Sequence, residues 1–275
     1  MTADPVNVDP LLIVALLAMG CVSGFLAGLL GIGGGMLLVP ALTFIASARG
    51  FPADYVVKMA VATSLATIMF TSLSSVRAHH KRGSVRWDVV KLLAPGIVVG
   101  SLLGAQIARL LSTKALALVF AVFVTYSAVQ MFIDKKPKPS RQLPRDAGMF
   151  GAGTAIGTLS ALVGAGGGFI SVPFMTWCNV PIHTAVATSS ALGFPIALAG
   201  TIGYVYAGWN LQGVPAGSFG YLYLPALVLI ASVSVLFAPL GAKAAHSLDV
   251  RQLKRVFAVL LFVLAAYMAS KGLAG

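Results

Sequence analysis

Apolar residues fill ten stretches of the chain, which short polar or glycine-rich segments separate. In the first half the stretches are 11–30, 36–47, 56–76, 87–111 and 115–133. In the second half they are 147–163, 169–177, 182–206, 219–242 and 256–270. An α-helix rises 1.5 Å per residue, so about 20 apolar residues cross the hydrocarbon core of a bilayer. The pattern predicts membrane-spanning helices, with shorter helices at 36–47 and 169–177.

Two of the breaks between apolar stretches carry the same motif. Residues 31–40 are GIGGGMLLVP and residues 164–173 are GAGGGFISVP, about half the chain apart. A second shared segment follows each copy, since AVATS occurs at 60–64 and again at 185–189. Repetition at a fixed interval indicates repeated structural units. The chain is therefore predicted to consist of two similar halves of about five apolar segments each.

A basic, proline-rich segment, DKKPKPSRQLPRD at 134–146, separates the halves. Its charges and prolines exclude it from the bilayer and from a regular helix. The predicted organisation is an N-terminal tail at 1–10, a first repeat at 11–133, this linker at 134–146 and a second repeat at 147–275.

An odd number of spans per half would insert the second half upside down relative to the first. If the N-terminus is extracytoplasmic and each glycine motif is a hairpin bend, the cytoplasmic loops are 77–91, 135–145 and 243–255. These loops hold 14 of the 19 Lys and Arg residues, and positive charge favours the cytoplasmic side. The charges therefore predict inverted repeats, with both termini extracytoplasmic. Aromatic residues at span ends are expected in the membrane interface: Trp87, Trp177, Trp209, Tyr221 and Tyr223.

The composition agrees with a multi-pass membrane protein. Hydrophobic residues make up 58% of the chain and charged residues 9%, with a mean hydropathy of +0.93. These values predict an all-α polytopic membrane protein. The net charge of +12 lies in short loops between spans, so it does not imply nucleic acid as a partner. Cys21 and Cys178 are isolated in apolar sequence, which predicts no metal site or disulfide framework, and the first ten residues lack the basic character of a cleaved signal peptide.

The glycine motifs are the strongest candidates for a binding site. Flexible backbone with unpaired N–H and C=O groups is costly in hydrocarbon, so it belongs where it lines a cavity or packs within protein. A helix begins after each motif, with Pro40 and Pro173 in its first turns. Helix starts present free N–H groups and partial positive charge, which suit an anion. Two inverted copies would direct two such ends at the membrane midplane.

The predicted binding residues are the motif glycines together with hydroxyl residues of the helices that follow. They are Gly31, Gly33, Gly34, Gly35, Thr63, Ser64, Gly164, Gly166, Gly167, Gly168, Thr188, Ser189 and Ser190. An alternative is that these small residues only allow helices to approach closely. Arg77, His79, His80 and His183 lie at the ends of two spans and could attract anions to the entrance or act in gating. Their alternative role is to anchor the spans at the cytoplasmic face.

The doubled motif, the AVATS segments, the length and the basic linker resemble the TauE/SafE family of sulfite exporters, also called toluene-sulfonate uptake permeases. The resemblance covers about residues 11–270. It implies a transporter in the bacterial inner membrane for sulfite, thiosulfate, sulfoacetate or related sulfur-containing or organic anions. No cofactor is predicted. The family's motif positions correspond to Gly31, Gly33, Gly34, Gly35, Pro40, Gly164, Gly166, Gly167, Gly168 and Pro173. Members differ in substrate, so the resemblance does not select one anion.

The acidic residues bear on the energy source. All seven are aspartates, at 4, 9, 54, 88, 134, 146 and 249, in loops or at span ends. Proton and sodium pumps commonly use a carboxylate within the membrane, so its absence predicts movement of the anion down its electrochemical gradient.

The sequence also weighs against an enzyme, because the spans contain no nucleophile with a paired base and no metal-ligand set. An anion channel or an accessory subunit of a membrane complex is the alternative to a carrier. The residues do not specify the oligomeric state.

Overall fold

A computed structural model describes residues 10–31, 34–133, 141–245 and 250–273, so most of the tail and part of the linker lie outside it. These residues form ten helices and one two-stranded hairpin. The helices of the first half are α1 (Pro10–Leu30), α2 (Gly35–Ala48), α3 (Val56–His80), α4 (Trp87–Leu110) and α5 (Thr113–Ile133). Those of the second half are α6 (Asp146–Val163), α7 (Gly168–Trp177), α8 (Ile182–Ala207), α9 (Leu224–Ala244) and α10 (Val250–Leu273). Strands β1 (Ser218–Phe219) and β2 (Leu222–Tyr223) precede α9.

Seven helices in the described residues are long and apolar enough to cross a membrane. They are α1, α3, α4, α5, α8, α9 and the Arg255–Leu273 part of α10. Within a bilayer a helix satisfies its own backbone hydrogen bonds, which explains why nearly every apolar stretch is helical. The prediction of an all-α, multi-pass membrane protein is confirmed.

The predicted start of the ninth helix at residue 219 is wrong, because residues 218–223 form a tight antiparallel hairpin. Gly220 adopts a φ of 59°, a left-handed conformation that glycine reaches without steric cost. Tyr221 is only 3% exposed, with its ring centroid 6.2 Å from that of Tyr204 and 6.1 Å from that of Tyr55. The apolar residues of this segment pack on protein. Tyr221 is therefore not an interfacial aromatic residue, contrary to the prediction.

Helices α3 and α8 form the centre of the molecule. In their most apolar 18-residue stretches, 83% and 67% of residues are buried, against 33–44% in the other long helices. They run antiparallel, because Gly193 of α8 faces Ser72 whereas Gly200, seven residues later, faces Leu65. Small residues such as these let the two backbones approach closely.

Two outer helix pairs each join one half of the chain to the other. The contacts of α1 with α9 pair Gly20 with Ile230, Gly24 with Ser234 and Gly28 with Ala238. The contacts of α4 with α6 pair Gly96 with Phe150, Gly100 with Thr154 and Gly104 with Thr158. In every pair, a β-carbon on the glycine would clash with the facing backbone oxygen, so the backbones touch. Because the contacts advance together along both helices, each pair is parallel.

The short helices α2 and α7 begin beside the middle of α3 and α8. A β-carbon at Gly35, the first residue of α2, would lie 2.9 Å from both Ser64 Oγ and Ile68 Cδ1. Seven residues then connect α2 to the start of α3, so α2 runs antiparallel to α3. In the second half Gly167, just before α7, lies against Ile196 of α8, and residues 178–181 make the link. The chain thus reverses direction at both glycine motifs.

Candidate functional site

The two glycine motifs adopt matching backbone conformations. Gly31 and Gly164, where the preceding helices end, both have a φ of 67°. Gly34 (φ 71°, ψ −5°) and Gly167 (φ 77°, ψ −9°) immediately precede α2 and α7. All four are in the left-handed region, where a β-carbon is unfavourable, so the motif needs glycine at these positions. Gly33 lies outside the described residues.

Each bend closes one helix and opens the next. The Gly31 N–H donates to Ala27 O and the Gly164 N–H donates to Ser160 O, which ends α1 and α6. In α2 the first intrahelical acceptor is Gly34 O, bonded by the N–H groups of Leu37 and Leu38 at 3.2 and 3.3 Å.

In α7 the corresponding acceptor is Gly167 O, bonded by the N–H groups of Ile170 and Ser171 at 3.0 and 2.9 Å. The amides of Gly35 and Met36, and of Gly168 and Phe169, precede these bonds. Their own helices cannot pair them.

The prolines lie deeper in these helices than a first turn. Pro40 is the sixth residue of α2 and Pro173 the sixth of α7. Proline has no N–H, so the carbonyls of Met36 and Phe169 lack the donor that a helix normally supplies four residues later. Both ends of the first turn in α2 and α7 therefore carry backbone polar groups that the helix does not pair.

The bends of the two halves touch each other and are held by reciprocal hydrogen bonds. A β-carbon on Gly35 would overlap the carbonyl oxygen of Gly164. Ser64 on α3 donates to Gly164 O at 2.9 Å, and Ser189 on α8 donates to Gly31 O at 3.0 Å. Each central helix thus fixes the bend of the opposite half. Their hydroxyl protons are directed at protein carbonyls.

The remaining predicted hydroxyls divide between the bends and the neighbouring helix starts. Ser190 donates to Val186 O at 3.2 Å, and its Oγ would lie 3.2 Å from a β-carbon on Gly31. Thr63 accepts the N–H of Tyr223 and Thr188 accepts the N–H of Arg86, each at 3.1 Å. Tyr223 and Arg86 immediately precede α9 and α4. The two threonines therefore fix helix starts rather than contact a glycine bend.

The residues predicted at the entrance do not meet the bends. His79 lies 15 residues beyond Ser64, about 22 Å along α3. It is 1% exposed, and its Nε2 is 3.2 Å from Gly28 O. His80 is exposed and its Nδ1 accepts the indole N–H of Trp87 at 3.1 Å, while Arg77 and His183 are exposed at helix ends. His79 thus ties α3 to α1 instead of facing solvent.

Two features near the site were missed by sequence reasoning. Ser160 in the last turn of α6 is 1% exposed, and its Oγ would lie 3.1 Å from a β-carbon on Gly167. The second feature is a polar stripe on α3, in which every fourth residue is polar and buried: Thr63, Thr67, Thr71, Ser75 and His79. Residues four apart are neighbours on a helix surface, so this winding stripe could be predicted from the sequence.

In the part of the chain that the structure describes, no three His, Cys, Asp or Glu residues lie together in a group that could hold a metal ion.

Comparisons with known proteins bear on this arrangement. The family model described as Sulfite exporter TauE/SafE matches residues 16–268. A probable membrane transporter protein of Haemophilus influenzae is 35% identical over 93% of this chain and 97% of its own length. One of Methanocaldococcus jannaschii is 28% identical over 94% of this chain and 96% of its own. A third, the probable membrane transporter protein YunE of Bacillus subtilis, is 29% identical over 75% of this chain and 85% of its own length.

No solved structure matches the chain. The family model nonetheless includes both glycine bends and the helices that hold them. The resemblance read from the motifs is confirmed, and with it the assignment to a family of membrane transporters rather than enzymes. The chain belongs to the sulfite exporter TauE/SafE family.

Proposed function

We propose that this protein transports sulfite or a related small sulfur-containing anion across the bacterial inner membrane, in the export direction. The anion binds where the two glycine bends meet. The observation that carries the proposal is the contact between these bends, each of which opens a helix whose first amides have no partner in that helix. Binding would give those amides an acceptor.

The charges around the bends favour an anion over a cation. The described acidic residues are Asp54, Asp88 and Asp146, and each lies in a loop or at the first turn of a helix. The starts of α2 and α7 contribute partial positive charge, which acts more strongly where water is excluded. A small oxyanion can accept hydrogen bonds from several amides at once.

The two halves act as inverted repeats in this proposal. Support comes from helix directions, because α1 is parallel to α9, α4 is parallel to α6, and α3 is antiparallel to α8. Hydrogen bonds also join α3 to α9 and the residue before it, linking Thr63 to Tyr223, Thr71 to Ser234 and Ser74 to Val235. Because both residue numbers rise together, α3 and α9 are parallel. The start of α4 lies beside the start of α8, through Arg86 and Thr188. In the proposed arrangement, equivalent helices of the two halves run in opposite directions, and α2 and α7 re-enter from opposite faces.

The face that carries the loops around residues 82, 141 and 245 is cytoplasmic in this proposal. On it, Arg82 donates to Ala242 O at 3.2 Å, and the Arg141 guanidinium stacks 4.7 Å from the centroid of the Trp177 ring. The opposite face has fewer cations, and Lys58 there donates to Arg109 O at 3.2 Å. The excess of positive charge supports the orientation.

Cysteine labelling tests the orientation. In a variant without Cys21 and Cys178, we expect Gln212→Cys, between α8 and α9, to react with a membrane-impermeant maleimide on intact cells. Lys81→Cys, between α3 and α4, should react only after permeabilisation. Both positions are exposed, so burial does not explain a difference. Labelling of both from the same side would contradict the proposed directions.

A thermal-shift titration of the purified protein tests the substrate class. Sulfite, thiosulfate, sulfate, sulfoacetate and an aromatic sulfonate are compared with chloride at equal ionic strength. A ligand at 100 times its Kd stabilises the folded state by about 2.7 kcal/mol. We expect a saturable rise in Tm with at least one sulfur oxyanion and none with chloride. Equal shifts for all salts, or no shift with any oxyanion, would refute the proposed substrate class.

Transport is expected to follow the anion's electrochemical gradient without a coupling ion. No carboxylate lies inside a described helix beyond its first turn. A membrane potential supplies roughly 2.3 kcal/mol per 100 mV for each charge moved. In proteoliposomes, a potassium diffusion potential should drive sulfite flux with no proton or sodium gradient. A requirement for either gradient at zero potential would contradict this mode.

Contact between the bends favours a carrier over an open channel, because the backbones of Gly35 and Gly164 meet at the proposed site. A carrier predicts that unlabelled sulfite inside proteoliposomes accelerates entry of labelled sulfite. A flux that rises linearly with concentration, without this acceleration, would favour a channel.

A further inference from the structure

Ser160 carries a buried hydroxyl group without a hydrogen-bond partner among the described residues. Its side chain is 1% exposed. Several buried serines on helices here donate to a carbonyl three or four residues earlier, as Ser127 does to Phe123 O at 2.9 Å and Ser190 to Val186 O at 3.2 Å. A buried polar group left unpaired destabilises a protein. Such a group therefore needs a reason.

The position of Ser160 supplies that reason. Its own carbonyl accepts the N–H groups of Gly164 and Ala165, so the residue lies directly beneath the second bend. Its Oγ would be 3.1 Å from a β-carbon on Gly167, the residue that precedes α7. Gly167 has no side chain to cap α7, so the first amides of that helix are unpaired within it. The Ser160 hydroxyl lies beside this helix start, where Ile196 Cδ1 would be 2.4 Å from the same β-carbon, so the Ile196 side chain must turn aside for an anion to bind.

We propose that Ser160 donates a hydrogen bond to the transported anion, and that the N-terminus of α7 is the primary binding point. This inference rests on the proposed function. A sulfur oxyanion has several acceptor oxygens, so one can bind the amides of Gly168 and Phe169 while another accepts from Ser160. A halide has no second acceptor atom and gains less from this arrangement.

The first bend has no serine at the position equivalent to Ser160, and the hydroxyl of nearby Ser23 donates to Gly20 O at 3.4 Å. Ala27 is the counterpart of Ser160, because its carbonyl accepts the N–H of Gly31 as that of Ser160 accepts the N–H of Gly164. A β-carbon on Gly34 would lie 2.5 Å from the carbonyl oxygen of Ser23. That oxygen carries partial negative charge and disfavours an anion beside α2. The two bends, although matched in backbone, are therefore unequal as anion sites.

The test compares Ser160→Ala with Ser127→Ala in the full-length protein in detergent, using sulfite and thiosulfate as probes in thermal-shift and calorimetric titrations. A hydrogen bond to a charged group predicts that Ser160→Ala raises Kd at least tenfold. Its Tm without ligand should be unchanged or higher, because an unpaired buried hydroxyl is removed. Ser127→Ala, which removes a paired serine in α5, should leave Kd unchanged.

A second variant, Ser160→Thr, retains the hydroxyl and should bind more tightly than Ser160→Ala. Wild-type Kd in Ser160→Ala would overturn the role of Ser160 while leaving the proposed function intact. Absence of sulfite and thiosulfate binding by the wild-type protein would overturn both. If Ser127→Ala also raised Kd tenfold, the effect of Ser160→Ala would reflect general core packing, and the inference would be overturned.

Discussion

Replacing Gly35 with alanine should abolish sulfite transport while the protein still inserts in the membrane. The new β-carbon would overlap the carbonyl oxygen of Gly164 and lie 2.9 Å from Ser64 Oγ and Ile68 Cδ1. A backbone oxygen cannot rotate away as a side chain can, so the two bends must separate. That movement would break the hydrogen bond from Ser64 to Gly164 O. Overpacking of this kind costs typically about 1–3 kcal/mol, so we also expect a lower Tm.

The matched control is Gly151→Ala. Gly151 is also helical, in α6, but no atom lies within 4 Å of an added β-carbon. Alanine is favoured over glycine in a helix by up to about 1 kcal/mol, so this variant should be as stable as the wild type or more so. Flux per reconstituted molecule in proteoliposomes, with size-exclusion profiles in detergent, separates the two. Wild-type flux in Gly35→Ala would show that transport does not depend on the contact between the bends.

Most helix boundaries could be predicted from the sequence because a lipid environment leaves few alternatives. An apolar stretch must pair its backbone internally, and glycines, prolines and charges mark where it stops. The start of α9 could not be predicted in this way. Leu222 and Tyr223 are as apolar as a span, but they form a hairpin that packs on protein. The sequence also could not predict which helices of the two halves pair, because nothing about Gly24 indicates that Ser234 lies opposite it.

Only part of the candidate site could be predicted from the sequence, for the same reason. The repeat singled out the motif glycines, and four of them, Gly31, Gly34, Gly164 and Gly167, adopt left-handed conformations. It did not reveal that Ser64 and Ser189 bond to the opposite bends, since that depends on how the halves meet. Ser160 could not be predicted from what the halves share, because the role proposed for it depends on its difference from Ala27.

The polar stripe on α3 suggests where the molecule opens. Thr67, Thr71, Ser75 and His79 are buried between the bends and the basic face, and Thr71 contacts Ser234 of α9 while His79 contacts Gly28 of α1. The backbones of α1 and α9 are in direct contact at the glycines of α1. Between α3 and α9 the contacts include hydroxyl hydrogen bonds, such as Thr71 to Ser234 at 2.7 Å, which water can replace. We therefore expect α1 and α9 to separate from α3 together during transport, which would expose the stripe to the basic face.

A disulfide between α3 and α9 should block that separation and stop transport. The side-chain oxygens of Thr71 and Ser234 are 2.7 Å apart, so cysteines at these positions are close enough to bridge. The native cysteines are first replaced, although burial raises the pKa of the Cys178 thiol and slows its oxidation. We expect oxidised Thr71→Cys/Ser234→Cys protein to lose sulfite flux and a reducing agent to restore it. The two single-cysteine variants should keep their flux under the same oxidant.

A reversible loss of flux distinguishes a requirement for the separation of α3 and α9 from a requirement for the hydroxyl groups of Thr71 and Ser234. If the hydroxyls of Thr71 and Ser234 served only as stepping points for the anion, the reduced double variant would already be impaired, and oxidation would change little. If the helices must part, the reduced form transports and the oxidised form does not. Undiminished flux in a fully cross-linked sample would mean that the anion passes with α3 and α9 in contact. The route from the bends to the basic face would then lie elsewhere, and α8 beside Val186 and Ser190 would be the next helix to cross-link.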